Sequence, residues 1–233
     1  MAQPQKKKMP IDIVDHELTY DTQNTYSVLF FGDSILTTVT HDGAIASQWI
    51  SDVEFIHRHH LQCLIVGLDV EWCSSYYGCI SNPVATLQLS IGDRCLIFQL
   101  IHCSSIPSSL VNFLANPNYT FVGVGIKQDL EKLESLAAEA YGRKELKNAG
   151  VKVLARVVMG KEVDKPKEVT LSRWDNQRLT PAQVQYACVD AFVCFKVGRI
   201  LITSSASGRR WKMGLLCVVL GGLALVYFGE GVR

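Results

Sequence analysis

The run Leu64-Ile65-Val66-Gly67-Leu68-Asp69-Val70-Glu71-Trp72 restricts the fold more than any other stretch of the chain. An apolar segment rich in branched residues predicts a strand buried on both faces, at the centre of a covered sheet. Successive side chains of a strand point to opposite faces, so Asp69 and Glu71 share one of them. Two carboxylates held together at the edge of an apolar core repel and lose hydration, a penalty that an intervening cation removes. The plainer alternative is a strand end that emerges into solvent with both acids hydrated. Asp-x-Glu alone does not decide between the two.

With 233 residues, 48% of them apolar, the chain can bury one good core and is short for two. Its formal net charge of +1 advertises no polyanion partner, so any nucleic-acid contact has to come from a local groove. Eight cysteines are scattered without a Cys-x-x-Cys pair or zinc-like spacing. That distribution predicts reduced, buried thiols and a location in the cytoplasm or nucleus. The polar N-terminus, with Lys6-Lys7-Lys8 and no apolar segment behind it, does not read as a signal peptide.

Residues 1–19 predict a mobile arm, and residues 20–203 one domain. Tyr26 to Phe31 and Ile35 to Thr40 predict a hairpin about Gly32-Asp33-Ser34. From Ala44 to about His60 the apolar residues Ile45, Trp49, Ile50, Val53 and Ile56 recur at helical spacing, with His57, Arg58, His59 and His60 in the last turn. Val84 to Ile91 and Cys95 to Leu100 predict two more strands, Pro107 to Leu114 a short helix, and Phe121 to Val124 a further strand. Helices are predicted over about Lys127 to Ala140, Val151 to Met159, and Thr180 to Ile200. The last of these opens with a threonine cap and a first-turn proline. Strands followed by strands mixed with helices predict an α/β fold, a mixed sheet covered by helices on both faces.

Residues 204–212 read as a linker. Beyond them residues 213–229 are almost unbroken apolar sequence, preceded by Arg209-Arg210-Trp211-Lys212. A membrane helix needs roughly 17 to 25 residues, so this stretch is at the short limit. The basic flank and Trp211 favour a membrane tail anchor with the domain facing the cytosol. A buried terminal helix or an apolar contact in a homo-oligomer would also account for it.

Two other places carry acids that need explaining. Asp129 follows Gly123-Val124-Gly125-Ile126-Lys127-Gln128, where the first turn of a helix would favour it through the dipole alone. Asp190 lies in the last helix, four residues after Tyr186 and on the same helical face, among Val184, Ala187, Cys188, Ala191, Val193 and Phe195. An unpaired carboxylate there is expensive. A structural hydrogen bond would satisfy it, and so would a metal shared with Asp69 and Glu71.

Together, Asp69-x-Glu71 closing a strand, Asp129 in Gly-x-Gly-Ile-x-x-Asp-Leu, and Tyr186-x-x-x-Asp190 resemble the three motifs of the DEDD 3′–5′ exonuclease superfamily, tyrosine subtype. The wording is similar to the Werner-syndrome-type exonuclease domain in the short form found in plants. Ala85-Thr86-Leu87-Gln88-Leu89-Ser90 and Trp174-Asp175-x-x-Arg178-Leu179-Thr180-x-x-Gln183-x-x-Tyr186-Ala187 extend the likeness over roughly residues 20–201. Cys188 stands where the family usually has alanine.

The resemblance implies a ribonuclease-H-like fold and hydrolysis of the 3′-terminal phosphodiester of DNA or RNA, releasing nucleoside monophosphates. It implies two magnesium or manganese ions held by Asp69, Glu71, Asp129 and Asp190, with Tyr186 orienting the attacking water. Hard oxygen ligands agree with those metals. Tyrosine, with an ordinary pKa of about 10, suits positioning better than proton abstraction. Trp72 and Tyr76 or Tyr77 are candidates to stack on terminal bases, with core packing the alternative for Trp72. Lys127, Lys132, Lys165, Lys167 and Arg173 are candidates for the phosphate backbone. The competing reading is non-enzymatic: an exonuclease-like fold serving as an oligomeric scaffold or nucleic-acid-binding module.

Overall fold

The computed structural model describes residues 11–17, 22–73, 83–124, 131–132 and 149–204. Eight strands form one mixed sheet in the order β1-β2-β3-β6-β5-β4-β7-β8. They are β1 (Asp12–Asp15), β2 (Gln23–Phe30), β3 (Asp33–Thr40), β4 (Ile65–Trp72), β5 (Val84–Ile91), β6 (Arg94–Phe98), β7 (Thr120–Gly123) and β8 (Glu131–Lys132). β4 lies towards the middle, antiparallel to β5 and parallel to β7.

The hairpin is tighter than its sequence suggests. Phe30 pairs with Asp33, leaving the two-residue turn Phe31-Gly32, both at positive φ (50° and 96°). That geometry matches the right-handed twist of the flanking strands, and glycine takes its second position without a steric penalty. Two further expectations are corrected. Asp12–Asp15, assigned to a mobile arm, pair antiparallel with β2 and extend the sheet edge. Glu131–Lys132, placed in a long helix, instead pair parallel with Val122 and Gly123, because β7 presents an open edge there. The remainder of that helix and the apolar stretch 213–229 lie outside the described residues. No described helix is long and apolar enough to cross a membrane.

Helices cover both faces. On one side α1 (Gly43–Ile56) and α2 (Ser108–Leu114) lie against Val66, Leu68, Leu87, Leu89, Leu96 and Phe98. Asp42 caps α1 by accepting from the Ala44 N–H, and the helix stops at Ile56, so His57 to His60 follow it rather than forming its last turn. On the other side lie α3 (Val151–Leu154, widening into a π turn through Met159), α4 (Lys167–Thr170) and the 24-residue α5 (Pro181–Ser204). They close over Val28, Phe30, Ile35, Ala85, Cys95, Ile97 and Val122.

The start of α5 is fixed by a reciprocal cap. The Gln183 N–H donates to the Thr180 hydroxyl (3.3 Å), while the Thr180 N–H donates to the Gln183 side chain (2.9 Å). The Gln183 amide also donates to Ser172 and to the Arg173 carbonyl, tying the preceding loop to the helix. Cys188 is fully buried and accepts from the Thr37 hydroxyl at 3.1 Å, so the thiol fits where alanine was expected. Cys63, Cys95, Cys103, Cys188 and Cys194 form no disulfide. Cys73, just after β4, departs from the expectation: it is disulfide-bonded, to a partner outside the described residues.

Candidate active site

Alternation along β4 decides what each residue meets. Val66 and Leu68 enter the core beneath α1 and α2, so Gly67, Asp69 and Glu71 face α5. Gly67 is what lets the helix come down. A Cβ there would lie 2.1 Å from the Ala191 carbonyl oxygen and 2.5 Å from the Phe195 nitrogen. Further along, a Cβ on Gly198 would lie 2.7 Å from a Val122 methyl. With helix backbone resting on strand backbone, Asp190 reaches the level of Asp69 and Glu71.

Carboxylate oxygens of Asp69, Glu71 and Asp190 all lie within 4.8 Å of one another. Asp190 is 2% exposed, whereas Asp69 and Glu71 keep part of their surface open. No other group of three or more metal-ligating side chains occurs among the described residues, so His57 to His60 form no such cluster there.

The crowding is visible in the protonation of the acids. Burial first, and Asp190 second, raise Asp69 to about 8, against the opposing pull of Lys165 and the Val70 N–H. Burial followed by Asp69 and Asp190 raises Glu71 to about 9. Asp190 is raised by burial, with the Lys165 ammonium and the Tyr186 hydroxyl pulling it back. Such a set holds protons at neutral pH unless a cation replaces them. Three hard oxygen donors converging from a strand and a helix fit a divalent ion such as magnesium or manganese.

Tyr186 stands one turn before Asp190, and its ring packs on the buried Trp174 at 5.9 Å between centroids. Burial above all, then Asp190, raises its phenol, so it remains protonated at neutral pH. Beneath the acids, β5 pairs Gln88 with Asp69 and Thr86 with Glu71. Both are fully buried, and the Gln88 amide donates to the Thr86 hydroxyl at 2.6 Å. In the sequence this segment carries only the family likeness, with no role for either side chain. The signal was there: three polar residues, Thr86, Gln88 and Ser90, at alternate positions of a strand otherwise made of Val, Ala, Leu and Ile.

The remaining candidates separate cleanly. Trp72, just past a register shift in the β4–β5 ladder, is 44% exposed, which removes core packing as its role. Lys165 is not a free surface charge, because its ammonium is paired with the Asp190 carboxylate. Arg173 is held by Asp175 at 2.6 Å rather than directed at the acids. Asp129, Lys127, Tyr76 and Tyr77 lie outside the described residues, as does the Lys132 side chain.

A carboxylate cluster recessed between a mixed sheet and a long helix, with a phenol one turn away, defines a class: ribonuclease-H-like nucleases of the DEDD type. Within that class the chain belongs to the 3′–5′ exonuclease family, whose model matches residues 47–203. It is 29% identical over 194 residues to a 3′–5′ exonuclease of Arabidopsis thaliana, covering 76% of this chain and 66% of that protein. It is 31% identical over 141 residues to the bifunctional 3′–5′ exonuclease/ATP-dependent helicase WRN of Mus musculus, covering 55% of this chain and 10% of that protein. The chain thus spans two thirds or less of the length of these relatives. The fold is similar to that of Escherichia coli RNase D (TM-score 0.57, 18% identity, 81% of this chain and 50% of that one). It is also similar to the exonuclease domain of Aedes aegypti Nibbler (TM-score 0.56, 16% identity, 71% of this chain and 86% of that one).

Proposed function

We propose that the chain is a metal-dependent 3′–5′ exonuclease that hydrolyses the terminal phosphodiester of a nucleic acid and releases nucleoside monophosphates. The observation that carries this reading is the meeting of Asp69, Glu71 and Asp190 oxygens within 4.8 Å of one another beside Tyr186. Asp69, Glu71 and Asp190 hold the divalent ions, and Asp129 completes the set by its place in the motif. When bound, two such ions supply the positive charge that stabilises the entering and leaving oxygens of an in-line displacement.

The side chains have separate tasks. Asp69, close to both other acids, would help to hold the ions, whose charge would offset the crowding of the three carboxylates. Tyr186, kept protonated by burial, positions the attacking water through its hydroxyl rather than removing a proton from it. Trp174 fixes the orientation of that phenol through ring packing. Trp72 offers an exposed aromatic face at the strand end next to Glu71, suited to stacking on a terminal base. With only local positive charge and a net charge of +1, substrate binding is modest and weakens as salt rises.

The test is incubation of the full chain and its Asp69→Ala variant with manganese and a 5′-labelled recessed duplex or single-stranded RNA. Stepwise shortening from the 3′ end by the parent, absent in the variant, is expected. No shortening of any substrate overturns the reading in favour of a non-catalytic scaffold.

A further inference from the structure

Among the described residues, Lys165 is the one cation paired with the clustered acids. Lys165 sits in the segment 161–166, outside helix and strand, between the π turn and α4, and the following Pro166 favours extended backbone at Lys165. Its ammonium donates to Asp190 Oδ2 and stands 5.2 Å from the centre of the Tyr186 ring. The lysine side chain is 29% exposed, whereas that of Asp190 is 3% exposed. The contact therefore runs from a loop at the surface onto the innermost acid of the site. The lysine head reaches the acid on a flexible four-carbon stem.

Building on the exonuclease reading, we propose that Lys165 is a resident counter-ion that occupies Asp190 in the metal-free protein, yields it to the divalent ion, and turns to the substrate phosphate. The physical reason is competition. An ammonium on Asp190 and a divalent cation on the same carboxylate repel at contact distance in a recess partly shielded from water. Lys165 must leave for the ion to bind with its full affinity. Once displaced, it stands at the mouth through which a phosphate enters, where its charge is attracted rather than repelled. Metal and nucleic acid then help each other: a phosphate that draws the lysine away makes Asp190 available, and the reciprocal effect is required by linkage.

The inference separates Lys165 from Lys167 and Arg173. Lys167 makes no ion pair among the described residues, and Arg173 is committed to Asp175. Neither makes an ion pair with a carboxylate of the cluster, so their removal leaves metal affinity unchanged.

The experiment is a manganese titration of the full chain without nucleic acid, read by the loss of the free-ion electron paramagnetic resonance signal. The parent is compared with Lys165→Met, Lys165→Arg and Asp190→Asn. Lys165→Met is expected to bind manganese about tenfold more tightly, within the usual range for coupled sites. Its KM for a short oligonucleotide is expected to rise. Lys165→Arg, which keeps the cation, is expected to stay near the parent in manganese affinity. Equal or weaker affinity in Lys165→Met overturns the counter-ion role while leaving the exonuclease reading intact. If neither parent nor Lys165→Met takes up manganese, both fall. Asp190→Asn losing manganese uptake shows that the titrated ion sits in this site; unaltered uptake there overturns the proposal.

Discussion

The two faces of β4 are one residue apart and behave oppositely. Towards α1 and α2, Val66 and Leu68 are fully buried in an apolar layer, where shape and volume are the only demands. Towards α5, Gly67, Asp69 and Glu71 meet helix backbone and a third carboxylate. The first face gives up hydration of apolar groups and gains stability. The second gives up hydration of charges, and its raised acids register that loss. A strand can carry both because its pleat separates them completely. Stability and chemistry are therefore assigned to alternate residues, and substitutions should separate them.

Asp69→Ala should have the largest effect on turnover, a loss of about three powers of ten or more, equivalent to ~4 kcal/mol of barrier. Its melting temperature without metal should rise or hold, because a buried carboxyl crowded by two others has been removed. A marked fall in melting temperature would show that Asp69 is structural. On the opposite face, Leu68→Ala should cost about 2–5 kcal/mol of stability by leaving a cavity. The protein that remains folded should bind manganese as the parent does, measured by denaturant titration beside metal titration. Gly67→Ala should combine the two failures, since its methyl meets the Ala191 carbonyl and forces α5 outward. Loss of manganese binding in a still-folded Gly67→Ala protein would sharpen the comparison.

A smaller effect lies in the pH dependence of the metal-free protein. Asp69 and Glu71 are raised to about 8 and about 9 in the folded state. Between the ordinary carboxylate range and those values the folded chain holds more protons than the unfolded one, so stability falls as pH rises through that window. Thermal melts should show this contribution to the decline without metal, and manganese should reverse it. A contribution of opposite sign would contradict the crowding of the acids. Smallest of all, Trp72→Ala should alter stability by less than about 0.5 kcal/mol, as an exposed side chain does. It should raise KM by a factor equivalent to about 1–3 kcal/mol if the ring stacks on a base.

The fold was legible wherever local pattern and burial agreed. β4, β5 and the start of α5 follow from apolar runs, turn residues and the Thr180-Pro181 cap, each acting within a few residues. Asp190 could be singled out because a carboxylate in an apolar helix demands a partner. What escaped detection depends on contacts far apart along the chain. Lys165 and Asp190 are 25 residues apart, and the loop carrying the lysine has no periodicity to give its direction. Gly67 reads as an ordinary break in an apolar run until the Ala191 carbonyl is set above it. The strand Glu131–Lys132 is two residues long and owes its pairing to the free edge of β7, which helical propensity cannot anticipate. Trp72 has two readings in the sequence for the same kind of reason: exposure at a strand end depends on where the ladder shifts register.

The central claim is that Asp69, Glu71 and Asp190 together grip a divalent cation. Anomalous diffraction from crystals soaked in manganese chloride measures this directly. A manganese peak bonded to oxygens of all three residues is the predicted result. Well-ordered density for the three carboxylates with no peak among them, at saturating manganese, would contradict it.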